Sequence, residues 1–155
     1  MKRRLLLLLG IATMVVSSDA ASAGSATGAA RLHPIDRSGV HARINFVDTG
    51  SVLEVSGTAT GLDSSKPYIT LVYDNGSVPG GPEACEPTNN SLTFAQMFVG
   101  SWQPVGSSTR TLTATKSGPA YAPLSAFDTT SVRQFNAADP EESPLKACGQ
   151  VHTNP

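Results

Sequence analysis

Apolar and polar residues alternate without a break in VHARINF (40–46). Val40, Ala42, Ile44 and Phe46 take one face; His41, Arg43 and Asn45 take the other. A period of two marks a half-buried strand. Asp48-Thr49-Gly50 supplies turn chemistry. In SVLEVSGTAT (51–60) the alternation resumes, with Leu53 and Val55 opposed to Glu54 and Ser56, so the two segments predict a hairpin. YITLVYD (68–74) is apolar on both faces apart from Thr70, the pattern of a strand covered on both sides. LTFAQMFV (92–99), RTLTATK (110–116), TTSVRQF (129–135) and LKACGQVHT (145–153) read as further strands. They are separated by the breakers GLDSSKP and GSWQPVGSS, a turn around AYAPLSAF and the polar loop NAADPEESP. No stretch beyond the N-terminal segment holds helical apolar spacing for three turns. The pattern predicts an all-β fold, a Greek-key β-barrel or sandwich of about eight short antiparallel strands. The 14 glycines and 11 prolines supply the frequent turns.

The N-terminus follows different rules. Lys2, Arg3 and Arg4 precede an apolar run over 5–16, and Ala21-Ser22-Ala23 offers small residues for cleavage. This is the layout of a Sec-type signal peptide over residues 1–23, cut after Ala23. The apolar run is too short to cross a bilayer as a helix. The mature chain is therefore expected to be secreted or periplasmic, with no membrane span. Residues 24–37, rich in Gly, Ala and Ser before RLHPI, read as a flexible leader, and 38–155 as one domain. The net charge of −1, with no basic run beyond the signal, argues against a nucleic-acid partner. In an exported chain the two cysteines, Cys85 and Cys148, point to a disulfide. Closing so long a loop stabilises the fold by about 4 kcal/mol in the chain-entropy model. A metal site built on the cysteines would need further ligands, and no CxxC or HxxxH partner is present.

Three segments then line up in order. VSGTATGL holds a G-x-x-x-G-L stretch, Cys85 lies in the loop after YITLVYDNG, and ACGQV carries Cys148 near the end. Together they resemble the copper/zinc superoxide dismutase family. MFVGSW is similar to the segment that closes that family's metal loop, and TTSVRQ to its next ligand-bearing strand. The resemblance implies a Greek-key barrel and a bond between the loop cysteine and the A-C-G cysteine. It also implies histidines, which this chain lacks. Thr70 and Val72 stand where two alternate copper histidines would be. Phe98 replaces a loop-closing histidine, Ser101 a zinc-binding aspartate, Gln134 the last copper histidine, and Leu145 the substrate-guiding arginine. Copper in such a site needs several imidazoles in fixed geometry. The expectation is a superoxide dismutase-like domain without the copper/zinc centre and without catalytic residues. It would act on a partner protein, the cell wall or a small molecule, with no cofactor. The alternatives are a degenerate or copper-only dismutase, with copper or zinc as cofactor, and a periplasmic metal carrier.

Other candidates are few. The resemblance implies that the strands carrying His41 and His152 are neighbours, so these two could hold a metal weakly, with Glu54 beside them. Asp74, Glu83 and Glu86 gather carboxylates in one loop, but the spacing fits no standard calcium loop. Asn75 and Asn89 begin glycosylation sequons. No G-x-S-x-G is present for a serine hydrolase. Trp102 and Tyr73 are the aromatics expected to build a binding surface.

Overall fold

The computed structural model describes residues 25–74, 82–86 and 90–154. The segment expected as a signal peptide and both sequon asparagines, Asn75 and Asn89, lie outside them, as does the side chain of Glu83. The fold is all-β. Its strands are β1 (Ala26–Pro34), β2 (His41–Asp48), β3 (Val52–Thr60), β4 (Tyr68–Tyr73), β5 (Phe98–Ser101), β6 (Gln103–Pro104), β7 (Thr109–Ser117), β8 (Thr129–Gln134) and β9 (Leu145–Asn154). The pairings are antiparallel, in the order β5-β4-β8-β9-β1-β2-β3-β7-β6. The sheet curls until β5 approaches β7, giving a nearly closed barrel. Among the described residues no helix is long and apolar enough to cross a membrane.

The alternation read from the sequence carries through: β2 is exposed and buried at strictly alternate positions from His41 to Asp48. Its inward side chains Ala42, Ile44 and Phe46 join Leu53 and Val55 of β3 and Leu112 of β7 in the barrel core. All six residues of β4 are buried. Its inner face, Tyr68 and Val72, belongs to the barrel core. Its outer face, Ile69, Leu71 and Tyr73, packs with Cys85, Met97 and Cys148 in a second apolar cluster outside the barrel wall. The β4 segment is apolar on both faces because each face has its own cover.

Two expectations are corrected. Residues 26–34, expected within a flexible leader, form β1, paired to β2 on one side and β9 on the other. Ala30 and Leu32 are buried in the core and Gly28 fits beneath Leu124, so the segment has an inner face despite its small residues. The first half of 92–99, expected as strand, is a single helical turn, α1 (Phe94–Met97). The Gln96 carboxamide reaches back to accept from the Thr93 amide at 3.0 Å, a lock on the first turn that outweighs a weak alternation. The breaker around Trp102 also contains the two-residue strand β6.

The barrel ends are closed by polar groups that fold inward. Asp48, 6% exposed, ends β2 and accepts from the Leu124 amide and the Tyr121 hydroxyl, each at 2.7 Å, and from the Gly50 amide at 2.8 Å. Those bonds pin the loop of two 3₁₀ turns (Gly118–Ala120 and Leu124–Ala126) over one end. On β7, Arg110, at the opposite end from Asp48, donates to the carbonyls of Asp63 and Ser64, and Lys116, level with Asp48, donates to those of Ala95 and Phe98. Two glycines are required by close approach. A Cβ on Gly61, whose φ is +79°, would lie 2.2 Å from the Gly39 carbonyl oxygen. One on Gly149 would lie 2.2 Å from that of Arg31.

Gly149→Ala must therefore push β9 away from β1, and should lower stability in urea by on the order of 3 kcal/mol. For Asp48, burial raises the carboxyl, but the hydrogen bonds from Leu124, Gly50 and Tyr121 outweigh it and hold it below the ordinary value of 3.8. Its contribution to stability is complete above that value and disappears as pH falls through the lowered one. Tyr121 is pushed up to about 12 by burial and by the Asp48 carboxylate. Its contribution is complete below the ordinary 10 and disappears as pH rises toward 12. Asp48→Asn should flatten the acid limb of the stability profile and return Tyr121 toward 10, read by ultraviolet titration.

Candidate functional site

The positions where the resemblance implies metal ligands do not converge on a metal-like donor set. The Thr70 hydroxyl accepts from Trp102 Nε1 at 2.8 Å, inside the barrel. Val72 is fully buried in the core beside it. Phe98 stacks on Phe94 at 6.1 Å and carries the Lys116 ammonium over its ring. Gln134 pairs in register with Tyr68, and Leu145 with Arg133. These residues do not fit a copper/zinc centre. Among the described residues no group of three or more His, Cys, Asp or Glu is placed to hold a metal ion.

The cysteine-bearing loop instead builds a clamp. Cys85 and Cys148 form a disulfide across a sequence separation of 63. The short 3₁₀ turn Pro82–Cys85 lies on the outer face of β4 and β8. Arg133, 3% exposed on β8, reaches under it. Its guanidinium donates to the carbonyls of Cys85 and Ser143 and, at 2.8 Å, to the Tyr73 hydroxyl. Glu86 adds an ion pair at 3.6 Å. Tyr73 shares its hydroxyl with Ser131 at 2.7 Å. Burial raises the Tyr73 hydroxyl above the ordinary tyrosine range, against the pull of Arg133 and Ser131. One buried cation thus fastens two loops, 82–86 and 135–144, to the barrel wall.

Where this cover stops, the outer sheet face is open. A groove of about 670 Å³ runs over β9, β1 and β2, with Ala29 and Gly149 as its low floor and Cys148 on its border. Arg31, His33, Arg43, Gln150, His152 and Asn154 line it. A shallower continuation of about 360 Å³ shares Arg31, His33 and Arg43 and adds His41, Thr58 and Thr60. Volumes of this size suit a small molecule.

The expected site residues fall differently from their reading. His41 and His152 are not neighbours, because β1 lies between their strands. His152 is opposite Ala29, while His41 follows the Leu32–Ala42 pair and is level with His33. One intervening strand and four residues of rise separate them by on the order of 15 Å. Glu54 pairs with Val47, six residues along β2 from His41, or about 20 Å away. Trp102 and Tyr73, expected at a surface, are 2% and 0% exposed and serve the interior. The Asp74 carboxylate accepts from the Ser91 hydroxyl, and Glu86 pairs with Arg133, so these two carboxylates are occupied by the loop's own structure.

The pairing of Arg31 with Arg43 on β2 and of His33 with Cys148 on β9 is hidden in a segment that reads as a leader. The available signal was the alternation of Gly28, Ala30 and Leu32 with Thr27, Ala29, Arg31 and His33. No family model matches the chain, and no curated protein matches it.

The clamp makes a graded prediction. Arg133→Gln leaves two loop carbonyls and the Tyr73 hydroxyl short of their donor and should cost about 3 kcal/mol in urea unfolding. Glu86→Gln removes only a half-exposed ion pair and should cost under about 1 kcal/mol. Equal losses would mean that the ion pair, rather than the carbonyl bonds, holds the loop.

Proposed function

We propose that this chain is an exported, disulfide-stapled barrel of superoxide dismutase-like descent that has no copper/zinc centre and works by binding. The observation that carries this reading is the groove over β9, β1 and β2, open beside the clamped loop and lined by charged and amide side chains above a floor of Ala29 and Gly149. It is supported by the fate of the implied ligand positions, which are filled by core packing and by the Trp102–Thr70 hydrogen bond. The signal-like N-terminus and the Cys85–Cys148 bond agree with an oxidising compartment outside the cytosol. The ligand is a small molecule or an exposed group of a larger partner small enough to enter the groove. The periplasmic metal carrier leans on His41 and His152, which the register separates, and a degenerate or copper-only dismutase would need ligands away from the positions the resemblance implies.

The test is metal content by mass spectrometry and superoxide removal, on protein exported into an oxidising compartment with copper and zinc supplied. The expected result is neither stoichiometric copper nor turnover. The double variant His41→Ala, His152→Ala should leave any residual copper or zinc affinity unchanged. Bound copper with turnover would overturn the binding reading; tightly bound metal lost in the double variant would make the chain a carrier.

A further inference from the structure

Arg31 and Arg43 are directly opposite each other in the β1–β2 ladder. Both are exposed, and both line the groove and its continuation. Like charges placed so are repulsive, and a sheet normally separates them or sets a carboxylate between. None is here. Among the described residues the ion pair is Arg133–Glu86, far under the clamped loop, and neither groove arginine has one. The flanking strands offer no carboxylate at this level. β3 presents Thr58 and Thr60, β9 presents Gln150 and His152, and Glu54 lies at the far end of β3. His33 and His41 add imidazole groups one step further along the strands. A chain with a net charge of −1 has thus gathered cationic and donor groups on one concave face.

We propose, building on the binding reading above, that this face is a site for a tetrahedral oxyanion, a phosphate or sulfate group carried by the ligand. The geometry selects the anion. A carboxylate has two oxygens and is satisfied by one guanidinium fork, whereas a ligand-borne phosphate or sulfate group has three terminal oxygens, each able to accept more than one hydrogen bond, and so can be shared between two guanidinium groups and His33. The anion bridges Arg31 and Arg43 and cancels their repulsion. The rest of the ligand lies over Ala29 and Gly149 toward Gln150. The arginine pair therefore costs stability in the empty protein and recovers it on binding.

The experiment is a titration of ¹⁵N-labelled, disulfide-intact protein at constant low ionic strength with inorganic phosphate, inorganic sulfate and acetate. Phosphate and sulfate should shift and saturate the Arg31, His33 and Arg43 resonances, and acetate should not. Arg31→Gln and Arg43→Gln should each weaken binding about tenfold. The exposed loop variant Lys66→Gln should leave it unchanged. Each groove variant should also melt higher than wild type in anion-free buffer, because the repulsion is gone. Glycerol phosphate against vesicles of phosphatidylglycerol, with phosphatidylcholine vesicles as the neutral comparison, then tells a soluble phosphate from a lipid headgroup. Acetate acting as strongly as phosphate, binding unaltered in the variants, or variants that melt lower than wild type would overturn the assignment. Those results in metal-free, inactive protein leave the binding reading standing with another ligand. Stoichiometric copper with turnover overturns that reading itself.

Discussion

Strand β1 is the element on which the rest of the barrel depends. It supplies the backbone hydrogen bonds that join β5-β4-β8-β9 to β2-β3-β7-β6. Without it, β9 and β2 would be two edges with unpaired amides and carbonyls, each a template for aggregation. Its small residues are what the position demands. Gly28 admits Leu124, and the backbone of Arg31 runs so close to Gly149 that only a glycine fits on β9. The same low relief on the outer side, Ala29 beside Gly149, leaves the floor of the groove open. One strand thus closes the barrel and hollows its outer face.

The disulfide loop sets where that face ends. The outer surface of β4 is apolar and would be exposed without the 3₁₀ turn and α1 packed against it. Arg133 holds the 3₁₀ turn and the 135–144 loop through main-chain carbonyls, partners that no side-chain substitution in the loops removes. Cys148 sits at the boundary, a member of the clamped cluster that also lines the rim of the groove. The frame and the binding face are two halves of one sheet surface, divided at the disulfide.

Much of this was readable in advance. Strict alternation in β2 and β3, and the double-sided apolar pattern of β4, gave the strands, because burial on one face or both is written directly into side-chain type. The cysteine pair was readable from compartment and count. The failures share a cause. The segment holding β1 is rich in Gly and Ala, so its inner face lacks the bulky residues by which alternation is recognised, and it was read as a leader. The helical turn at Phe94 depends on a single Thr93–Gln96 contact inside an apolar run. Trp102 and Tyr73 were assigned to a surface, yet their polar atoms find partners inside, on Thr70 and on Ser131 with Arg133. The groove was invisible because Arg31 and Arg43 are twelve positions apart in sequence and meet only through the ladder.

The pairing of β1 with β9 also orders events in time. These are the first and last strands of the barrel, and neither half can be joined until both are present. A chain made from its N-terminus delivers β1 early and β9, with Cys148, at the end. Contacts of such long sequence separation form slowly. The barrel is therefore kept from closing while its tail is still being made. Completion, stapling and assembly of the groove all wait for the last strand.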